Sequence, residues 1–304
     1  MAEFTPSGDQ YEISHGEQHA VVVEVGGGVR EYRVGSRNVL DPYDAGAMCD
    51  GAHGAPLAPW PNRLADGKYS FEGNDYQVAL TEPKSNTAIH GFLRWRNWQL
   101  LSRTPSRVVV GHVLHPLQGF PFCFDVRVAY ELDHDGLRVT TTATNIGTQA
   151  APWACGAHPY LSPGGGLIDS ATLAFAAALR IDTDERQLPK ADVPVDGTPY
   201  DFSDPRLIGD TKIDYAFRDM DRDSEGRAWV RLRGVDGHTA ELWCDASYPF
   251  VELFTGDTLS PDRRRNGLGV EPMSAPPNAF ATGECVLKIS PGETTTHVWG
   301  ARLA

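Results

Sequence analysis

Between Phe124 and Thr144 the chain spells out two amphipathic arms and a turn. Phe124–Leu132 and Leu137–Thr144 alternate β-branched or aromatic residues with polar ones around Asp133-His134-Asp135-Gly136. A period of two sends alternate side chains to opposite faces of a strand, as a sheet with one packed face and one wet face requires. Shorter copies of the pattern recur. Ala20–Val25, three glycines and Val29–Val34 read as a hairpin, as do Tyr69–Phe71, the turn Gly73-Asn74-Asp75 and Tyr76–Val78. Further strands are expected at residues 107–113, 229–232, 239–244, 251–255, 286–289 and 294–303. No stretch longer than about ten residues carries a clean helical period; Leu173–Leu179 is alanine-rich but short. With 31 glycines and 22 prolines between short apolar runs, the chain reads as all-β, and two packed antiparallel sheets would accommodate it. No internal repeat or low-complexity linker divides it, so residues 1–304 are expected to form a single domain.

The balance of charge narrows the partners. There are 27 basic against 40 acidic residues, a net charge of −13, which argues against nucleic acid or an anionic membrane surface and permits a neutral ligand. The run Arg263-Arg264-Arg265 is a local exception, read as a solvated turn among Asp257, Pro261 and Asp262. Five cysteines, at 49, 123, 155, 244 and 285, show neither a CxxC pair nor metal-like spacing and are expected to be reduced thiols. Cys155 is read as a small apolar filler near His158 rather than a catalytic thiol. The first ten residues have neither the basic start nor the apolar core of a secretion signal, so a cytoplasmic location is expected. No apolar run approaches the roughly 20 residues needed to span a bilayer.

Against this background one carboxylate stands out. Glu271 lies in Val270-Glu271-Pro272-Met273-Ser274-Ala275-Pro276-Pro277-Asn278-Ala279-Phe280, an apolar segment whose prolines exclude a helix interior. A carboxylate held by stiff backbone among apolar neighbours has its pKa raised, which suits general acid–base work near neutral pH. Two histidines sit beside backbone-shaping residues, in Thr87-Ala88-Ile89-His90-Gly91-Phe92 and Gly156-Ala157-His158-Pro159-Tyr160-Leu161. Imidazole is the side chain best suited to exchange a proton at cellular pH. Trp60, Trp95, Trp98 and Trp153 include candidates for an aromatic platform under a ligand, although aromatics are more often core than ligand. There is no phosphate-cradling loop: Gly164-Gly165-Gly166 lacks the lysine and serine of a P-loop.

Upstream lies Ala58-Pro59-Trp60-Pro61-Asn62-Arg63-Leu64-Ala65-Asp66-Gly67, and between the second histidine and Glu271 lies Asp214-Tyr215-Ala216-Phe217. The order Arg63, His90, His158, Asp214 and Glu271-Pro272-Met273 resembles the aldose 1-epimerase (galactose mutarotase-like) family along nearly the whole chain. The resemblance implies a large antiparallel β-sandwich and an isomerase that interconverts the α and β anomers of a hexose. It implies Glu271 as general base at the C1 hydroxyl and His158 as general acid at the ring oxygen, hence protonated at rest. His90 would assist, and Arg63 and Asp214 would hold sugar hydroxyls. No cofactor and no metal are called for. In one respect the chain departs from simple galactose mutarotases: Ile89-His90-Gly91-Phe92-Leu93-Arg94-Trp95-Arg96 looks more like a hexose-6-phosphate epimerase branch, in which Arg94 and Arg96 would meet a phosphate. Three other readings stay open: a hexose-6-phosphate 1-epimerase, a glycosidase using Glu271 and Asp214, and a sugar-binding sandwich without turnover.

Overall fold

Alternation that fits a sheet, and the want of any long helical period, produce a chain built almost wholly of strands. The computed structural model describes residues 5–304. Ten strands form a continuous antiparallel path in the larger sheet: Gln10–His15, Gln18–Val23, Val29–Val34, Arg37–Leu40, Tyr160–Leu161, Leu268–Met273, Phe250–Phe254, Asp214–Met220, Ala177–Thr183 and Pro189–Pro194. Gly156–Ala157 and Pro56–Leu57 extend it beside Leu268–Met273. A second, nine-stranded sheet includes Arg107–Leu114, Phe124–Asp133, Gly136–Asn145, Thr294–Leu303 and Thr239–Cys244. The inward faces of the two sheets share one apolar core, with Val22, Tyr32 and Leu253 from the larger and Val126, Val139 and Leu242 from the smaller. This is the sandwich expected of the sequence.

The expected hairpins form, with one turn displaced. Phe124–Asp133 and Gly136–Asn145 pair in unbroken register. In Lys68–Phe71 and Asn74–Gln77, however, Phe71 faces Asn74, so the turn is Glu72-Gly73 and not Gly73-Asn74-Asp75. Both turn residues have positive φ, 51° and 76°, the mirror-image geometry that matches the twist of a hairpin. The alanine-rich segment is not helical: Thr172–Phe175 belongs to the nine-stranded sheet and Ala177–Thr183 to the larger one, so the chain changes sheets there.

The arginine run departs from expectation more sharply. Arg265 is buried, its Nε 2.6 Å from Asp169 Oδ1 and its Nη1 3.2 Å from Asp257. Arg263 reaches Asp41 Oδ2 at 2.8 Å. Only Arg264 is the exposed side chain that a solvated turn implies. Asp41 and Asp169, which draw the other two inward along with the nearer Asp257, come from distant parts of the chain and tie the loop after Phe254 to the rest of the fold.

Among the described residues no helix is long and apolar enough to cross a membrane.

Candidate active site

Glu271 sits on Leu268–Met273, near the middle of the larger sheet. Alternation turns Leu268 and Val270 toward the shared core and Gly269, Glu271 and Met273 to the opposite face. On one side, Phe250–Phe254 places Glu252 directly opposite Glu271, and Asp214–Met220 places Ala216 opposite Glu252. On the other side, two very short strands pair with the same partner: Gly156 with Met273 and Tyr160 with Gly269. The interruption between them is His158-Pro159, which falls beside Glu271. A single row across the sheet therefore reads Ala216, Glu252, Glu271, His158. The imidazole Nε2 of His158 lies 3.1 Å from Glu271 Oε1, and both side chains are buried.

The proline-rich segment after Glu271 holds the neighbouring motifs. Ser274 N–H donates to Cys155 O, and Cys155 N–H donates to Ser274 Oγ, both at 2.8 Å. Asn278 N–H donates to Arg63 O at 2.7 Å, while Asn278 Oδ1 accepts from Ala65 N–H at 3.0 Å. One segment thus fixes both the His158 stretch and the strand that carries Arg63. The His158 ring stacks on Tyr160 with centroids 4.9 Å apart, and Tyr160 stacks in turn on His53 at 3.7 Å.

His90 enters from strand Thr87–Ile89, which pairs with Arg63–Ala65. Its φ is +62°, a left-handed conformation uncommon outside glycine and the kind of strain that collects at functional sites. Gly91 follows at φ +63°, where a Cβ would lie 2.0 Å from Ala58 O, so no side chain fits there. The motif therefore needs His-Gly to aim the ring. Its Nδ1 accepts the backbone N–H of Asn62 at 3.1 Å, which leaves Nε2 as the N–H donor of a neutral ring. The ring meets His158 edge to face, centroids 5.4 Å apart. His90, His158 and Glu271 each offer a ligand atom within 4.8 Å of the others. With His90 committed to this tautomer, the cluster suits proton transfer better than metal ligation.

These residues line a cavity of about 490 Å³, large enough for a single sugar ring. Glu82, Glu185, Asp214, Glu252 and Glu271 contribute carboxyl groups to its wall, and Arg63 and Arg94 contribute guanidinium groups. Arg63 makes a forked pair with Glu82, at 2.9 and 3.2 Å, and not with nearby Asp66, which pairs with Arg186. Gln187 donates to Asp214 Oδ2 at 2.7 Å. Of the two arginines after His90, Arg94 lines the cavity while Arg96 is exposed outside it. Among the described residues no tryptophan lines the cavity: Trp60 packs on Phe92 and Phe280 in the core, and Trp98 and Trp153 are buried elsewhere. The aromatic wall is Tyr160 and Phe254. Cys155 is part of the core rather than the lining.

Burial governs the protonation states. It pushes Glu271 well above the ordinary carboxylate range, with Asp214 adding to the effect and Arg63 opposing it. It pushes His158 down to about 3, with His53 and Arg94 contributing. His90 is driven down by burial and then by His158. Burial thus favours the uncharged form of the pair, with the shared proton on Glu271 and a neutral imidazole at His158. Against the expectation of a resting imidazolium, desolvation favours the neutral ring at His158. Moving one proton across the 3.1 Å contact still converts the pair to carboxylate and imidazolium without changing its total charge.

The structure gathers Arg63, His90, His158, Asp214 and Glu271 around one cavity. The sequence reading missed Asn62 and Glu252. Asn62 has φ +54°, a conformation asparagine tolerates, and its groups reach His90, Glu252 and Arg63 N–H. Its signal was an asparagine between Pro61 and Arg63 in a stretch already singled out. Glu252 carried none, since a glutamate in an apolar strand reads as a sporadic polar residue.

A family model described as aldose 1-epimerase matches residues 9–301. The uncharacterized protein YihR of Escherichia coli K12 is 33% identical over 288 residues, 94% of this chain and 91% of that protein. Human galactose mutarotase is 26% identical over 220 residues, 68% of this chain and 63% of that protein. Two solved structures share the fold. A putative aldose 1-epimerase from Escherichia coli K12 superposes with a TM-score of 0.83 at 21% identity, covering 97% of this chain and 99% of that one. Galactose 1-epimerase from Lactobacillus acidophilus gives 0.82 at 17%, covering 99% and 96%. The chain belongs to the aldose 1-epimerase family.

Proposed function

We propose that this cavity interconverts the α and β anomers of a hexose by acid–base ring opening, with Glu271 as base and His158 as acid. The observation that carries the reading is the 3.1 Å contact between His158 Nε2 and Glu271 Oε1, with the His90 ring edge-on to it inside a sugar-sized cavity. Polar groups of the sugar stabilise the charged form of the pair, carboxylate and imidazolium. Glu271 takes the proton of the C1 hydroxyl while His158 gives one to the ring oxygen. The bond from C1 to the ring oxygen breaks and C1 becomes a carbonyl. Rotation about C1–C2 exposes the other face, and the reverse transfers close the ring as the other anomer. The pair begins and ends each turnover with one proton, so no cofactor is required. The Nε2–H of His90 steadies charge on oxygen as the ring opens. Arg63 and Asp214 hold ring hydroxyls as donor and acceptor.

Polarimetry of freshly dissolved α-D-glucose and α-D-galactose tests this. Decay faster than the buffer blank is expected, and Glu271→Gln and His158→Ala are each expected to slow it by about 10²–10⁴-fold. Full activity in Glu271→Gln would overturn the assigned base.

One observation favours a phosphorylated hexose as substrate. Arg94 lines the cavity with no carboxylate in salt-bridge range among the described residues, whereas Arg63 is already paired with Glu82. On this reading Arg94→Gln raises KM for glucose 6-phosphate by about 10–100-fold and leaves KM for glucose nearly unchanged, because a charge-assisted hydrogen bond is lost for one substrate only. An equal effect on both sugars would remove the phosphate reading.

A further inference from the structure

Glu252 takes no part in the scheme above, yet it is the immediate cross-strand neighbour of the base. Glu271 has His158 on one side and Glu252 on the other, and both carboxyl groups are buried, 3% and 4% exposed. Directly paired residues on adjacent strands hold their Cβ atoms about 4.5–5.5 Å apart. The charged groups that face Glu252 are few. Glu271 lies on one flanking strand, Asp214 opens the other and is close enough to share a hydrogen bond with Glu252, and Arg63 opens the strand that Asn62 immediately precedes. Arg63 spends its forked donors on Glu82. Its single charge cannot balance Asp214, Glu252 and Glu271 together, and like charges this close in a buried site do not ionise together. Asn62 Nδ2–H donates to Glu252 Oε2 at 3.0 Å. That oxygen is therefore the acceptor, and a proton on the group belongs on Oε1.

We propose that Glu252 works as a neutral carboxylic acid, its Oε1–H donating to an oxygen of the bound sugar and its lack of charge leaving Glu271 as the one carboxyl of the pair that cycles a proton. The sugar as acceptor rests on the epimerase reading; the protonation itself does not. Burial, followed by Glu271 and Asp214, pushes the Glu252 carboxyl well above its ordinary range, in keeping with this role. A protonated carboxyl here reads a sugar oxygen as an acceptor, whereas a carboxylate would read a hydroxyl as a donor. Ionisation at alkaline pH would reverse that preference and place a second anion beside Glu271.

Carbon-13 NMR of the full chain labelled at the glutamate carboxyl carbons decides the protonation without any substrate. The signal missing in Glu252→Gln should hold the position of a protonated acid through neutral pH and move only on the alkaline side. In Glu271→Gln the same transition should come at lower pH, because the repelling neighbour has gone. A Glu252 signal that titrates in the ordinary carboxylate range overturns the proposal whether or not the protein is an epimerase. The donor role has its own test, on whichever aldose the wild type turns over. Glu252→Gln keeps an N–H donor at this place and should lose less than about tenfold in kcat/KM, while Glu252→Ala should lose about 100-fold. Equal loss in the two variants, each folded by circular dichroism, would show that an anion is needed there.

Discussion

At the centre of the larger sheet the two faces are made by the same strands, and both are buried, yet they do different work. On the face toward the nine-stranded sheet, Val270, Leu253 and Phe217 join the common core. On the other, Glu271, Glu252 and Ala216 occupy the alternate positions of the same three strands. Burial on the first face removes apolar surface from water and stabilises the fold. Burial on the second strips water from carboxyl and imidazole groups and moves their proton affinities in opposite directions. One backbone thus carries stability and chemistry on residues one position apart, so each can be altered with the other nearly intact.

The largest separation is expected between Glu271→Gln and Leu253→Ala. The first should lower turnover by about 10²–10⁴-fold with the melting temperature nearly unchanged. The second deletes a fully buried side chain and should cost about 2–5 kcal/mol in denaturant unfolding while the folded fraction keeps its turnover. If Leu253→Ala instead lost turnover at full stability, the two faces would not be separable.

The pH dependence of stability sharpens the contrast. The folded-state pKa of His158 is about 3 against an ordinary 6.5, so at this residue the unfolded chain binds more protons between those values. The contribution of the neutral imidazole is complete above 6.5 and is lost as pH falls toward 3. Thermal melts across that range should show His158→Gln less sensitive to acid than the wild type, and parallel curves would refute the assignment. Core variants such as Leu253→Ala should shift the whole curve without changing its slope.

The smallest effect is expected away from both faces. Gly73, at φ +76° in the exposed hairpin turn, has no atom close enough to clash with an added Cβ. Gly73→Ala should therefore cost only the backbone penalty of a left-handed residue, about 1–2 kcal/mol, and leave turnover as it was. A marked loss of turnover would mean that this hairpin helps to shape the cavity.

Much of this protein was legible in its sequence. Alternation in Phe124–Thr144 and its shorter counterparts gave the strands, because the period of two is a local property of the backbone. Glu271, His90 and His158 were conspicuous beside a proline or a glycine, whereas Arg63 and Asp214 could be named only through the resemblance of their motifs to the aldose 1-epimerase family. The turn at Glu72-Gly73 was displaced because Asn74 and Asp75 are equally good turn formers, and the register across the hairpin chose between them. Arg263 and Arg265 read as solvated because their carboxylate partners, Asp41 and Asp169, are remote in the chain.

By itself, then, the sequence determined the all-β character, the family and the residue types available for proton transfer, since these depend on local pattern and on motifs. Only the tertiary structure decided that His158 and Glu252 flank Glu271 in one row, that Arg94 faces the cavity while Arg96 does not, and that burial opposes charge on both members of the pair. Register between distant strands sets which side chains are neighbours, and burial sets the cost of charging them. Neither quantity is carried by any short stretch of chain.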